Sequence, residues 1–122
     1  MIVPIFSAVN VSAVQALLKS GSGPLRFYSF GLADQNTPKP YAVWQQVFGS
    51  PENYVGSLPD MDSVGIQVDV YADSAAVARQ VGKALSDAIE PHAHVTAWHG
   101  ESRDFDTMNY RYGFDCQWWL SR

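Results

Sequence analysis

Apolar and polar residues alternate most strictly over residues 64–72. Val64, Ile66, Val68, Val70 and Ala72 take one parity, and Gly65, Gln67, Asp69 and Tyr71 take the other. A period of two sends successive side chains to opposite faces, so this stretch predicts a strand with one buried and one wetter face. The period then changes. Val77, Ala78, Val81, Ala84, Leu85, Ala88 and Ile89 recur at helical spacing, with Arg79, Gln80, Lys83, Ser86, Asp87 and Glu90 between them. This predicts an amphipathic helix capped by Asp73 or Ser74, running to about Glu90 and stopped by Pro91. Residues 107–119 alternate again, with Met108, Tyr110, Tyr112, Phe114, Cys116 and Trp118 against Thr107, Asn109, Arg111, Gly113, Asp115 and Gln117. A strand this long predicts either an arm reaching beyond the sheet or a bend at Gly113.

Weaker patterns fill the rest. Val9, Ala13, Ala16, Leu17 and Leu18 predict a short helix over 8–19 behind a Ser7 cap, ended by Ser20-Gly21-Ser22-Gly23-Pro24. Residues 25–30 read as a strand, and 31–40, with Asp34, Asn36, Pro38 and Pro40, as a loop. Residues 41–48 predict a second strand, with Val43 and Val47 on one face and Trp44 and Phe48 on the other. Both faces are apolar there, which fits a doubly covered strand or a contact between copies. Pro51, Gly56 and Pro59 make 49–63 the longest expected loop and the first candidate for a partner-binding element. Residues 94–98 read as a strand and 99–106 as a polar turn. The order is helix, three strands, helix, two strands. It predicts a single α+β domain over residues 1–122. The expected architecture is a two-layer sandwich, with about four to five strands in a mainly antiparallel or mixed sheet and both helices on one face. The opposite face would then carry Asp69, Tyr71, Arg111 and Asp115, open to water or to a neighbouring copy.

Composition narrows the function classes. Hydrophobic residues make up 47% of the 122-residue chain and charged residues only 16%, enough apolar matter to exclude disorder. Four Trp and six Tyr suit either a core or an interface rich in anchors. The net charge is −4 and the eight basic residues are scattered, so a firm grip on nucleic acid through phosphates is not expected. Cys116 is the only cysteine, which rules out an intramolecular disulfide and suits a reducing compartment. The apolar start is short and has no basic leader, and no apolar run reaches the ~18 residues of a membrane span, so neither a signal peptide nor a membrane partner is expected.

Candidate chemistry is thin. His92 and His94, two apart on a strand, would share a face, with Asp104, Asp106 or Cys116 as a further metal ligand, but His99 has the opposite parity. A metal-dependent hydrolase built on His92 and His94 is the alternative of another class. Asp60 with Asp62 and Asp104 with Asp106 form carboxylate pairs in expected loops, where solvated turn residues are the commoner reading. The 20–24 segment follows a helix and lacks the lysine of a phosphate-binding loop. Cys116 lies on an apolar strand face and reads as a small buried residue. A small-ligand binding module would need a closed apolar pocket.

One run is more specific: Pro40-Tyr41-Ala42-Val43-Trp44-Gln45-Gln46-Val47-Phe48-Gly49-Ser50-Pro51-Glu52, then Ile66-Gln67-Val68-Asp69-Val70-Tyr71-Ala72, the amphipathic helix, and a late alternating strand ending near Asp115. Across essentially its whole length the chain resembles the phage tail-completion (tail-terminator) family of long non-contractile tails. The resemblance implies a structural virion protein with no reaction and no cofactor. It implies a ring, usually of six copies, at the head-proximal end of the tail, which stops tube growth and forms the head-joining surface. The implied partners are further copies of the chain, the tail tube protein and a head-completion or connector protein, with DNA only passing through the lumen and assembly in the host cytoplasm. A head–tail connector or minor tail component is the alternative within the same class. The matching positions, Tyr41, Trp44, Gln45, Gln67, Val68 and Asp69, are scaffold positions. Our own reading of subunit or tube contacts is Tyr41, Trp44, Glu52, Tyr54, Asp60, Asp62, Tyr71, Arg103, Asp104, Arg111 and Trp119.

Overall fold

The strict alternation around Val68 becomes the middle strand of a five-stranded sheet in the computed structural model, which describes residues 3–33, 37–52, 61–103 and 109–121. The elements are α1 (Ile5–Val9), α2 (Ser12–Leu18), β1 (Phe27–Ser29), β2 (Tyr41–Glu52), β3 (Met61–Ala72), α3 (Ala75–Ile89), β4 (His94–Arg103) and β5 (Tyr110–Ser121). The strands lie in the order β1-β2-β3-β5-β4; β1 runs parallel to β2 and every other pair is antiparallel. The helices share one face, which is the α+β sandwich the periodicities predict, with three helices in place of two.

The core follows from the two periods. Val64, Ile66, Val68 and Val70 are fully buried, and across the ladder they meet Trp118, Cys116, Phe114 and Tyr112 in turn. Helix α3 covers them with Val81, Leu85 and Ile89, while α1 and α2 add Ile5, Val9, Val14 and Leu18. Each such side chain contributes about 1.5–3 kcal/mol of transfer free energy. Ser74 caps α3 by accepting from the Val77 amide at 3.2 Å, which decides between it and Asp73. At Gly82 the helix comes so near β5 that a Cβ would sit 2.5 Å from the Tyr112 ring, so any side chain there would force the ring to move.

The single helix expected over 8–19 is two helices, because Asn10 and Val11 leave helical geometry, Val11 being extended at φ −120° and ψ 161°. The reason lies in the spacing of the buried residues. Ile5 and Val9, then Val14 and Leu18, are each four apart, but Val9 to Val14 is a step of five. An unbroken helix would turn the second pair roughly 180° from the first, each member lying nine residues on. The break turns both pairs inward.

Two expected loops are partly strand. β2 continues to Glu52 and β3 starts at Met61, pairing Gly49 with Val64, Ser50 with Ser63 and Pro51 with Asp62, so both ends of the expected 49–63 loop are strand, and residues 53–60 lie outside the described residues. Pro51 is tolerated because β1 covers only Ala42–Trp44, which leaves β2 an edge strand beyond that point. β2 also carries a bulge at Val47, so the two-face alternation expected over 41–48 does not run through to Phe48. The polar turn expected from His99 is more of β4, which runs to Arg103 with register shifts at Thr96 and His99 and Gly100 at φ +76°. The strand expected over 107–119 is β5, with Thr107 and Met108 outside the described residues, and β5 pairs with β3 along its whole length, so it is no free arm. Gly113 serves a close approach: a Cβ there would lie 2.6 Å from the Asp69 carboxylate. No described helix is long and apolar enough to cross a membrane.

Candidate assembly surface

With the helices on one side, the odd-numbered residues of β3 and β5 face away from them. Asp69, Tyr71, Arg111 and Asp115 share this face, which no described element covers, as their parity predicts, but they are not simply open to water. Asp69 is only 8% exposed. Its Oδ1 accepts from Nε and an Nη of Arg111 at 3.2 and 3.0 Å, and its Oδ2 accepts from the Gln67 amide at 3.0 Å. A buried carboxylate needs such partners, since leaving it unpaired is costly. Burial lowers the pKa of the Arg111 guanidinium, but the bond and charge of Asp69 outweigh this and raise it above the ordinary arginine value. Nearby, His99 Nε2 meets Asp115 Oδ1 at 2.8 Å, and Gln117 donates to the Ser63 hydroxyl.

Aromatic rings continue the same face toward β1. Tyr41 and Tyr71 are direct cross-strand partners, stacked with centroids 5.2 Å apart, and Tyr28 meets Tyr41 edge-on at 6.5 Å. At this end Tyr71, Ser102, Arg103, Asn109 and Arg111 line a polar recess of about 280 Å³. The structure therefore gathers four of the expected contact residues: Tyr41, Tyr71, Arg103 and Arg111. Arg103 also lies over the Tyr110 ring, 5.1 Å from its centroid. The others scatter. Trp119 sits toward the far end of β5, edge-on to His94 at 5.3 Å. Trp44 points to the helical side, half-buried against the core. Asp62 pairs in β3 with Leu120, of the opposite parity to Trp119. The backbone of Glu52 closes the β2–β3 ladder opposite Met61. Tyr54, Asp60 and Asp104 lie outside the described residues.

The histidines do not converge, which corrects the expectation that His92 and His94 share a face. His92 precedes β4 and stacks on Trp118, whereas His94 meets Trp119, whose side chain leaves β5 on the opposite side. His99 is engaged with Asp115. Among the described residues no group of three or more His, Cys, Asp or Glu is placed to hold a metal ion. Asp106, like Asp104, lies outside them.

Cys116 is buried, and that burial pushes its thiol up to about 11, offset only in part by the Trp118 indole, which donates to Sγ at 3.3 Å. Native protein should therefore stay unlabelled by a thiol reagent near pH 8 and react fully once unfolded, because the thiolate is the reactive form. The sign of the pH dependence follows. The folded thiol keeps its proton more tightly than the ordinary value of 9.0, so its contribution is fully present below pH 9 and is lost as pH rises through about 11. Urea midpoints measured across that window should fall, and a Cys116→Ala variant should lose that part of the fall.

Two features carried no sequence signal. Arg26 is a lone cation in an apolar run, yet it is buried and tied to three segments: it donates to the Pro40 carbonyl at 2.9 Å, the Ser20 hydroxyl at 2.7 Å and the Leu17 carbonyl at 3.3 Å. The Asp69–Arg111 pair joins residues 42 apart in sequence, which no local pattern reveals. Over residues 5–121 the chain matches the family model described as tail completion protein gp17. No curated protein matches it.

Proposed function

The chain belongs to the phage tail-completion family, and from that premise we propose that its copies close into a ring on the end of the tail tube, stop its growth and present the surface to which the head joins. As a member of this family it is a structural component of the phage tail, with other tail components as its partners. The observation that carries the finer reading is the uncovered sheet face. Its side chains are held in a bonded network with Asp69 at the centre and a tyrosine row beside it. A face already ordered in this way loses little side-chain freedom when a neighbour covers it. A closed ring needs two different patches on each copy, and this chain has distinct surfaces to offer: a polar and aromatic sheet face, and a helical face. An acidic chain suits a lumen through which DNA passes without being held, and six copies is the number the family resemblance implies.

The test is a phage lacking this gene. Its tails should vary in length and fail to join heads, and added protein should restore joining. Tails of normal length that join heads normally would remove the proposal. Label found on tailless heads rather than on tails would assign the chain to the connector instead.

A further inference from the structure

Two apolar features of this chain lie at different places on its surface. The first is a knob. After β1 the chain turns sharply, with the Leu32 amide donating to the Ser29 carbonyl at 3.1 Å and Gly31 at φ +77°. The turn holds out Phe30 and Leu32, 66% and 70% exposed, the highest values among the exposed large hydrophobics of the described residues. The second is a groove of about 490 Å³ in the helical layer, between α2 and α3. Small residues make the hole: Ala13 and Ala16 on one helix, Ala84 and Ala88 on the other, with Leu17 beside them. At its rim Lys83 and Asp87 pair with each other at 2.7 Å, so the two charges offset each other beside an apolar occupant.

We infer that Phe30 and Leu32 of one copy seat in the α2–α3 groove of the next, as one of the contacts that close the ring. The inference rests on the ring reading above and adds the residues that join its copies. A knob on one surface and a hole on another make a head-to-tail contact, the kind that closes rings when the rotation fits. Its area is also informative. Two side chains of this size hide a few hundred Å² at most, against the roughly 800 Å² per partner of a stable pair. The contact is too small to hold two free copies together. In a ring each copy makes it twice, and binding to the tube end adds the remaining surface.

Cross-linking tests this on assembled tails. Cys116 is buried and its thiol poorly reactive, so introduced cysteines report alone. A Leu32→Cys, Ala84→Cys double variant, added to tails lacking the protein and treated with a short thiol cross-linker, should give a ladder of covalent multimers. Leu32→Cys alone and Ala84→Cys alone should give none, and a mixture of the two single variants should give only dimers. A Phe30→Asp, Leu32→Asp variant with an unchanged circular dichroism spectrum should restore head joining at least tenfold less well than the parent chain. Rings visible on tails but with no ladder, a dimer from Leu32→Cys alone, or a cross-link from residue 32 to the tube protein would each overturn the contact and leave the proposed function standing. Absence of the protein from tails would overturn both.

Discussion

A Phe114→Ala protein should unfold at far lower urea than the parent chain, losing about 3–5 kcal/mol. Phe114 has no exposed surface and stands opposite Val68 at the middle of the β3–β5 ladder, the longest pairing in the sheet. Removing its ring forfeits the transfer free energy of the missing atoms and leaves a cavity in a sheet that relaxes little, since α3 is already in close contact with the neighbouring Tyr112 at Gly82. Against a total of about 5–15 kcal/mol for a domain, this is a large share. With a urea slope of about 2 kcal/mol/M, the midpoint should fall by roughly 2 M. There is a second readout. Trp98, half-exposed on edge strand β4, rests on Phe114 with ring centroids 5.3 Å apart, so its fluorescence should shift in the folded variant. A loss below about 1 kcal/mol would show that Phe114 is not at the centre of the core.

Arg26→Ala should also be costly, at about 2–4 kcal/mol. Its guanidinium gathers the end of α2, the 20–24 turn and the start of β2 by donating to Leu17, Ser20 and Pro40. Two of those acceptors are backbone carbonyls of segments that no ladder joins there, and removing the donor leaves them to find water or go unpaired. The discriminating variants are conservative ones. Arg26→Lys keeps the charge but presents a single point donor in place of a planar fork, so it should recover less than half of the loss. Arg26→Met keeps much of the volume and should recover less still. If lysine restored full stability, charge rather than the fork would be the cause.

The two residues show how much could be read in advance. Phe114 sits in a strict alternation, and the parity that places it inside needs only the sequence; the same holds for Val64–Ala72 and for the stripe of α3. Arg26 has no such pattern, because its acceptors lie up to 14 positions away and are mostly backbone atoms, which carry no sequence signature. The alternation was lost wherever a bulge shifts the phase. Thr96 and His99 break it in β4, so a strand reads as a polar turn, and Val47 breaks it in β2. The uncovered face was legible as a set of residues but not as a network, since Asp69 meets Arg111 only through the β3–β5 register. The helix break at Asn10 was legible in principle, in the five-residue step between buried valines.

The bulges have a further bearing. Beyond Trp44 the outer side of β2 has no β1 beside it, and β4 forms the other margin of the sheet. Such margins invite strands of other molecules to add on, the route by which sheets grow into insoluble fibres. Here each is interrupted: β2 by Val47 and Pro51, β4 by two phase shifts and a left-handed glycine. The sheet is thus guarded against fusing with other sheets through its backbone, while its side chains stay free to make contacts.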